Sequence, residues 1–124
     1  MDIIKENIPI FATIAEGIKD QILSGYLKEG EQLPSTTQIS KEFEINIATV
    51  NKGVNVLVAE GIVFKKRGIG MFVTEGAVDK LIEERRKIYK ERYIKAALEE
   101  AKRLRYTVED LQAMVAEYYQ PEEY

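Results

Sequence analysis

Two stretches of this chain hold residue types whose spacing could do chemistry, and that chemistry is recognition, not bond-making. Asn46-Ile47-Ala48-Thr49-Val50-Asn51-Lys52 offers amides, a hydroxyl and an ammonium within two helical turns. An asparagine amide can donate to and accept from the edge of adenine at once, and lysine suits a phosphate. Lys65-Lys66-Arg67-Gly68-Ile69-Gly70 packs three cations against two glycines, which let a backbone lie close to a sugar-phosphate strand. No comparable constellation exists for covalent catalysis. With no cysteine and no histidine, thiolate chemistry, disulfides and the usual zinc sites are excluded. The carboxylates alternate with Lys and Arg on helical faces, so an enzyme is not expected, nor is any cofactor or metal.

The elements that must position these residues follow from periodicity and punctuation. Pro9 suits a helix start, and Phe11, Ile14, Ala15, Ile18 and Ile22 recur at helical spacing until Ser24-Gly25. Ser35 with Gln38 forms a capping-box pattern opening a short helix, roughly Thr36 to Phe43, with Ile39 and Phe43 facing inward. Asn46 caps a second helix, roughly Ile47 to Glu60, stopped by Gly61, with Val50, Val54, Leu57 and Val58 as its buried stripe. Asn51 and Asn55 lie on its opposite face, which favours a half-site containing A·T pairs. Ile62-Val63-Phe64 and Met71-Phe72-Val73 are strand-forming and flank the basic run, predicting a hairpin. Helix, turn, helix and basic hairpin in that order are the parts of a winged helix-turn-helix, which seats one helix in a DNA major groove. The expected fold class is mainly α with a small β-hairpin wing. The candidate DNA contacts are Ser35, Thr36, Thr37, Asn46, Ala48, Thr49, Asn51, Lys52, Lys65, Lys66, Arg67, Gly68 and Gly70.

Thr74 to Ala77 makes a natural boundary, giving a DNA-binding domain over 1–75 and a helical region over 76–124. From Val78 to about Leu104 the chain is helical without an internal Gly or Pro. Thr107 caps a last helix to Tyr119, ended by Pro121. Val78, Leu81, Ile82, Ile88, Tyr89, Tyr93, Ala97, Leu98, Ala101 and Leu104 form an apolar stripe too broad for a helix in solvent. A helical hairpin alone cannot close a core around it. The expected answer is a homodimer, with Leu81, Ile82, Ile88, Tyr89, Tyr93, Leu98, Leu104 and Leu111 at the seam. Arg85-Arg86-Lys87 with Lys90 alternates with glutamates and reads as salt-bridged surface.

Charge argues against generic DNA affinity. Eighteen basic against twenty-one acidic residues give −3, and residues 1–75 hold eight of the former and ten of the latter. Binding must use a local patch, with few contacts carrying discrimination. The N-terminus does not read as a signal peptide, and no apolar run approaches a bilayer span, so a soluble, cytoplasmic protein without membrane contact is expected.

The string from Ile8-Pro9-Ile10 through Ile22-Leu23-Ser24-Gly25-Tyr26 and Gly30-Glu31-Gln32-Leu33-Pro34-Ser35 resembles the opening of GntR-family transcription regulators. The likeness continues through Thr49-Val50, Leu57, Glu60-Gly61-Ile62 and Arg67-Gly68-Ile69-Gly70-Met71-Phe72-Val73, covering about residues 8–74. The C-terminal part, with Ala101-Lys102-Arg103-Leu104 and Thr107-Val108-Glu109-Asp110-Leu111, looks like the YtrA-type branch, which has a small helical dimerisation hairpin. The resemblance implies a homodimeric repressor on a palindromic double-stranded operator. Thr37 stands where the family usually carries an arginine. Ile47 stands where a polar residue or proline is frequent, and Ala48 where a small polar one is. The family's usual operator sequence is therefore not carried over. Two other readings remain open at this stage. One is a winged-helix module for protein contact. The other is a sensor holding an unknown small effector among Tyr89, Tyr93, Tyr106, Tyr118 and Tyr119.

Overall fold

The computed structural model describes residues 8–119. The element order is α1 (Ile10–Leu23), α2 (Thr36–Phe43), α3 (Ile47–Ala59), β1 (Val63–Lys66), β2 (Gly70–Val73), α4 (Ala77–Ile88), a π-helical segment (Tyr89–Ile94), α5 (Lys95–Arg103) and α6 (Val108–Tyr118). The chain divides into two compact units, with the break between Glu84 and Arg85. That break lies inside α4, not in the loop at 75/76 suggested by composition.

In the first unit the helix ends are set by local chemistry. Ser35 Oγ accepts from Gln38 N–H at 3.0 Å, while Gln38 Oε1 accepts from Ser35 N–H at 2.8 Å, closing the capping box of α2. Glu44 turns the chain in left-handed conformation (φ 53°), and Asn46 Oδ1 then accepts from Ala48 N–H at 2.8 Å to start α3. Gly61, at φ 76°, ends α3 in a Schellman arrangement. Ile62 N–H donates to the Leu57 carbonyl and Gly61 N–H to the Val58 carbonyl.

Packing follows the apolar stripes. Ala15, Ile18 and Ile22 of α1, Ile39 of α2 and Val50, Val54 and Leu57 of α3 share one core with Ile62, Val63 and Val73 of the hairpin. The α1–α3 crossing is close at Gly53, where an added Cβ would stand 2.7 Å from the Phe11 carbonyl oxygen. The hairpin is antiparallel, pairing Val63 with Val73, Phe64 with Phe72, Lys65 with Met71 and Lys66 with Gly70.

Four expectations change. Leu81, assigned to a dimer seam, is fully buried in this first core together with Ala77, and so presents no surface to a second chain. Phe43 is 61% exposed, because it is the last residue of an eight-residue helix whose buried face is centred on Ile39. The helix from Val78 to Leu104 is interrupted by the π-helical segment, a feature that hydrophobic periodicity does not encode. Ile62 precedes the first strand, which instead extends through Lys66. The helix stop assigned to Pro121 lies outside the described residues.

The first turn of α4 is anchored from a distance. Glu29 accepts through Oε1 from Gly76 N–H and through Oε2 from Val78 N–H, both at 2.9 Å. These two bonds hold its carboxyl below its ordinary pKa. Lys19, almost wholly buried, gathers Glu60 at 2.8 Å, Glu84 at 3.1 Å and Glu16 at 3.4 Å around its Nζ. Burial alone would pull Lys19 down, but the bonds to Glu60 and Glu84 and the Glu16 charge outweigh it and raise its pKa. Lys80 also donates to the Glu60 carbonyl at the end of α3.

In the second unit Thr107 and Asp110 cap each other reciprocally at 3.1 and 2.9 Å, opening α6. Arg105 adopts a left-handed conformation (φ 64°) where α5 ends. Ala101 is buried, whereas Ile88, Tyr89, Tyr93, Leu98, Leu104, Val108, Met114 and Val115 remain exposed to more than a third of their area.

Candidate nucleic-acid interface

The sequence-predicted contacts fall on three elements of the first unit: the start of α2, the start of α3 and the hairpin tip. Ser35, Thr37, Asn46, Ala48, Asn51, Lys52, Lys65, Lys66, Arg67 and Gly68 are exposed, while Thr36, Thr49 and Gly70 are half-buried. Ser35 and Asn46 already spend an acceptor on a helix cap, so their first role is to fix the two helix starts. Asn51 and Lys52 are exposed on α3 and serve no helix cap.

Lys52 does not project freely. Its Nζ sits 4.2 Å from the centroid of the Phe11 ring on α1. On the wing, Lys66 Nζ lies 4.8 Å from the Phe72 ring, and Phe72 stacks with Phe64 at 5.8 Å between centroids. Alternation along the strands puts Phe64, Lys66 and Phe72 on one face and Val63, Lys65 and Val73 on the other. The three-cation run is thus split across the hairpin, and one of its lysines is held over an aromatic shelf.

The turn itself is closed by Ile69 N–H donating to the Lys66 carbonyl at 2.9 Å. Gly68 has φ 78°, the value that the third position of a type II turn needs. Sequence reasoning missed Phe11 and Phe72 as supports for the lysines, and it missed the loop before α2, which pairs with β2. Phe11 and the loop had no local signal, since their partners are distant in the chain, whereas Phe72 shares the hairpin with Lys66 and only the strand register was needed to place it under that lysine.

The tyrosines do not enclose a space. Tyr89 and Tyr93 are 6.3 Å apart, and both are exposed, as are Tyr106, Tyr118 and Tyr119.

Two capped helices joined by a left-handed turn, with a basic hairpin behind them, define a winged helix-turn-helix. This is a DNA-binding transcription regulator, not an enzyme. The chain belongs to the GntR family: residues 11–73 match the model described as bacterial regulatory proteins, gntR family. It is 32% identical over 87 residues to the HTH-type transcriptional repressor YtrA of Bacillus subtilis (strain 168), covering 70% of this chain and 67% of that one. Other curated relatives are longer, and the chain spans 35% or 29% of their length. Among solved structures, a GntR family transcriptional regulator from Listeria monocytogenes shares the fold. Its TM-score is 0.74 at 24% identity, over 94% of this chain and 98% of that one. The DNA-binding domain of AraR in complex with operator ORE1 aligns with a TM-score of 0.52 at 25% identity, over 54% of this chain and 82% of that one.

Proposed function

We propose that two copies of this chain bind one two-fold symmetric operator and repress transcription, in the cytoplasm. Each copy seats the start of α3 in a major-groove half-site and lays its wing on the flanking backbone. The contact set comprises Thr37, Thr49, Asn51 and Lys52 with Lys65, Lys66, Arg67 and Gly70. Asn51 reads a base, and the cations hold phosphates. The observation that carries this reading is the exposed apolar face of Ile88, Tyr89, Tyr93, Leu98 and Leu104, continued by the half-buried Leu111. Ile82, also exposed, lies on α4 within the first unit. A face of this kind is stabilised by burial against its copy. The operator-bound AraR domain supports a DNA partner, and the repressor relative supports repression. Among the described residues, no helix is long and apolar enough to cross a membrane.

The test combines light scattering with competition binding on a palindrome selected from random duplex and a scrambled control. The wild-type chain is expected at twice 14.2 kDa, with clear preference for the palindrome. Leu98→Glu should shift the mass toward one chain. Asn51→Ala should lower affinity for the palindrome by about tenfold or more and leave random duplex nearly unchanged. A lone 14.2 kDa species at micromolar concentration together with no duplex preference overturns the reading of a dimer on a palindrome.

A further inference from the structure

The wing carries the cations, but a hairpin with four residues per strand has little stability of its own. Its support comes from the loop between α1 and α2. Gly30 N–H donates to the Val73 carbonyl at 2.9 Å, Val73 N–H to the Glu31 carbonyl at 2.9 Å and Leu33 N–H to the Met71 carbonyl at 2.8 Å. Residues 30–33 therefore run alongside β2 and meet it at an isolated bridge, with Gln32 opposite Phe72. Backbone pairing ends there, short of the tip.

The Gln32 side chain continues it. Its Nε2 donates to the Ile69 carbonyl at 3.0 Å, across 37 positions of sequence. It lies over Gly70, where an added Cβ would come within 2.5 Å of that nitrogen. Gly70 has φ 148° and Gly68 φ 78°, so the tip is flanked by two backbones that only glycine adopts readily. The Gln32 amide is a side-chain contact that bridges the loop to this tip. The same strand pair places Phe72, the ring under Lys66, directly opposite Gln32.

We propose that Gln32 is the positioning residue of the wing. By holding the Ile69 carbonyl it sets the angle at which Lys65, Lys66 and Arg67 meet the DNA backbone. A side chain at position 70 would displace the amide and would also strain a backbone at φ 148°. This inference rests on the reading of the wing as a DNA contact.

The experiment uses the full chain, the selected palindrome and a salt series, with thermal melts to confirm folding. The variants are Gln32→Met, which keeps length but cannot donate, the wing pair Lys66→Ala/Arg67→Ala, and their combination. Gln32→Met is expected to lose about fivefold in affinity per wing, the size of one hydrogen bond. It should also lower the salt slope, as phosphate contacts lengthen. Combined with the wing pair it should cost no more than the wing pair alone. Full affinity, an unchanged salt slope or additive losses with Gln32→Met overturn the inference. If the wing pair itself keeps wild-type affinity and salt slope, the DNA-contact reading of the wing falls, and that result does not involve Gln32.

Discussion

The Lys52 ammonium lies 4.2 Å from the centroid of the Phe11 ring, joining α3 to α1, the helix that packs against it. An exposed lysine side chain ordinarily samples many rotamers, and ordering it on binding carries an entropic cost. Resting on Phe11, Lys52 is partly ordered in the free protein.

Phe11→Leu removes the ring while preserving most of the apolar volume. A cation–π contact at an exposed site is worth about 0.5–1 kcal/mol, or roughly two- to fivefold in affinity. If Lys52 meets a phosphate as proposed, we expect that loss on palindrome and random duplex alike, because such a contact carries no sequence information. Combining Phe11→Leu with Lys52→Ala should cost no more than Lys52→Ala alone. Additive losses in competition binding would show that Phe11 does not act through Lys52.

Glu29 ties the loop after α1 to the start of α4, and the charge at that helix end should be visible in a pH titration of stability. Its carboxyl is held below the ordinary value of 4.5 by the Gly76 and Val78 N–H groups. A group depressed on folding stabilises fully above its unfolded pKa, and that stabilisation is lost as pH falls through the folded value. Glu29→Gln should thus melt below wild type at neutral pH, with the gap closing below about 4.5. A gap constant from pH 7 to pH 3 would mean that the carboxylate charge contributes nothing. Lys19 predicts the opposite limb. Its raised pKa means that its contribution persists below its usual 10.5 and fades only as pH rises through the folded value.

Gly53 tests the closeness of α1 and α3. On an exposed helix, Gly→Ala stabilises by roughly 1 kcal/mol. Here the new methyl would meet the Phe11 carbonyl oxygen at 2.7 Å and Ile14 Cβ at 3.1 Å, and a backbone oxygen cannot swing aside. Overpacking of about 1–3 kcal/mol outweighs the propensity gain. Gly53→Ala is expected to lower the midpoint of thermal unfolding by several degrees. An unchanged or raised midpoint would show that the two helices can separate without cost.

What could be read along the chain is what acts over a few residues. The Ser35–Gln38 and Thr107–Asp110 capping boxes, the Asn46 cap and the Gly61 stop are local hydrogen-bond solutions, and each helix starts or ends where its cap stands. The apolar stripes likewise named Ala15, Ile18, Ile22, Val50, Val54 and Leu57 as residues that must be buried. A stripe says that a face seeks cover, but not which surface covers it. Leu81 and Leu98 belong to one stripe by spacing, yet the tertiary structure buries Leu81 in the winged unit and leaves Leu98 46% exposed. The supports of the site, Phe11 under Lys52 and Gln32 against Ile69, were equally invisible. Their partners lie about forty residues away, and only the folded path of the backbone brings such groups within contact.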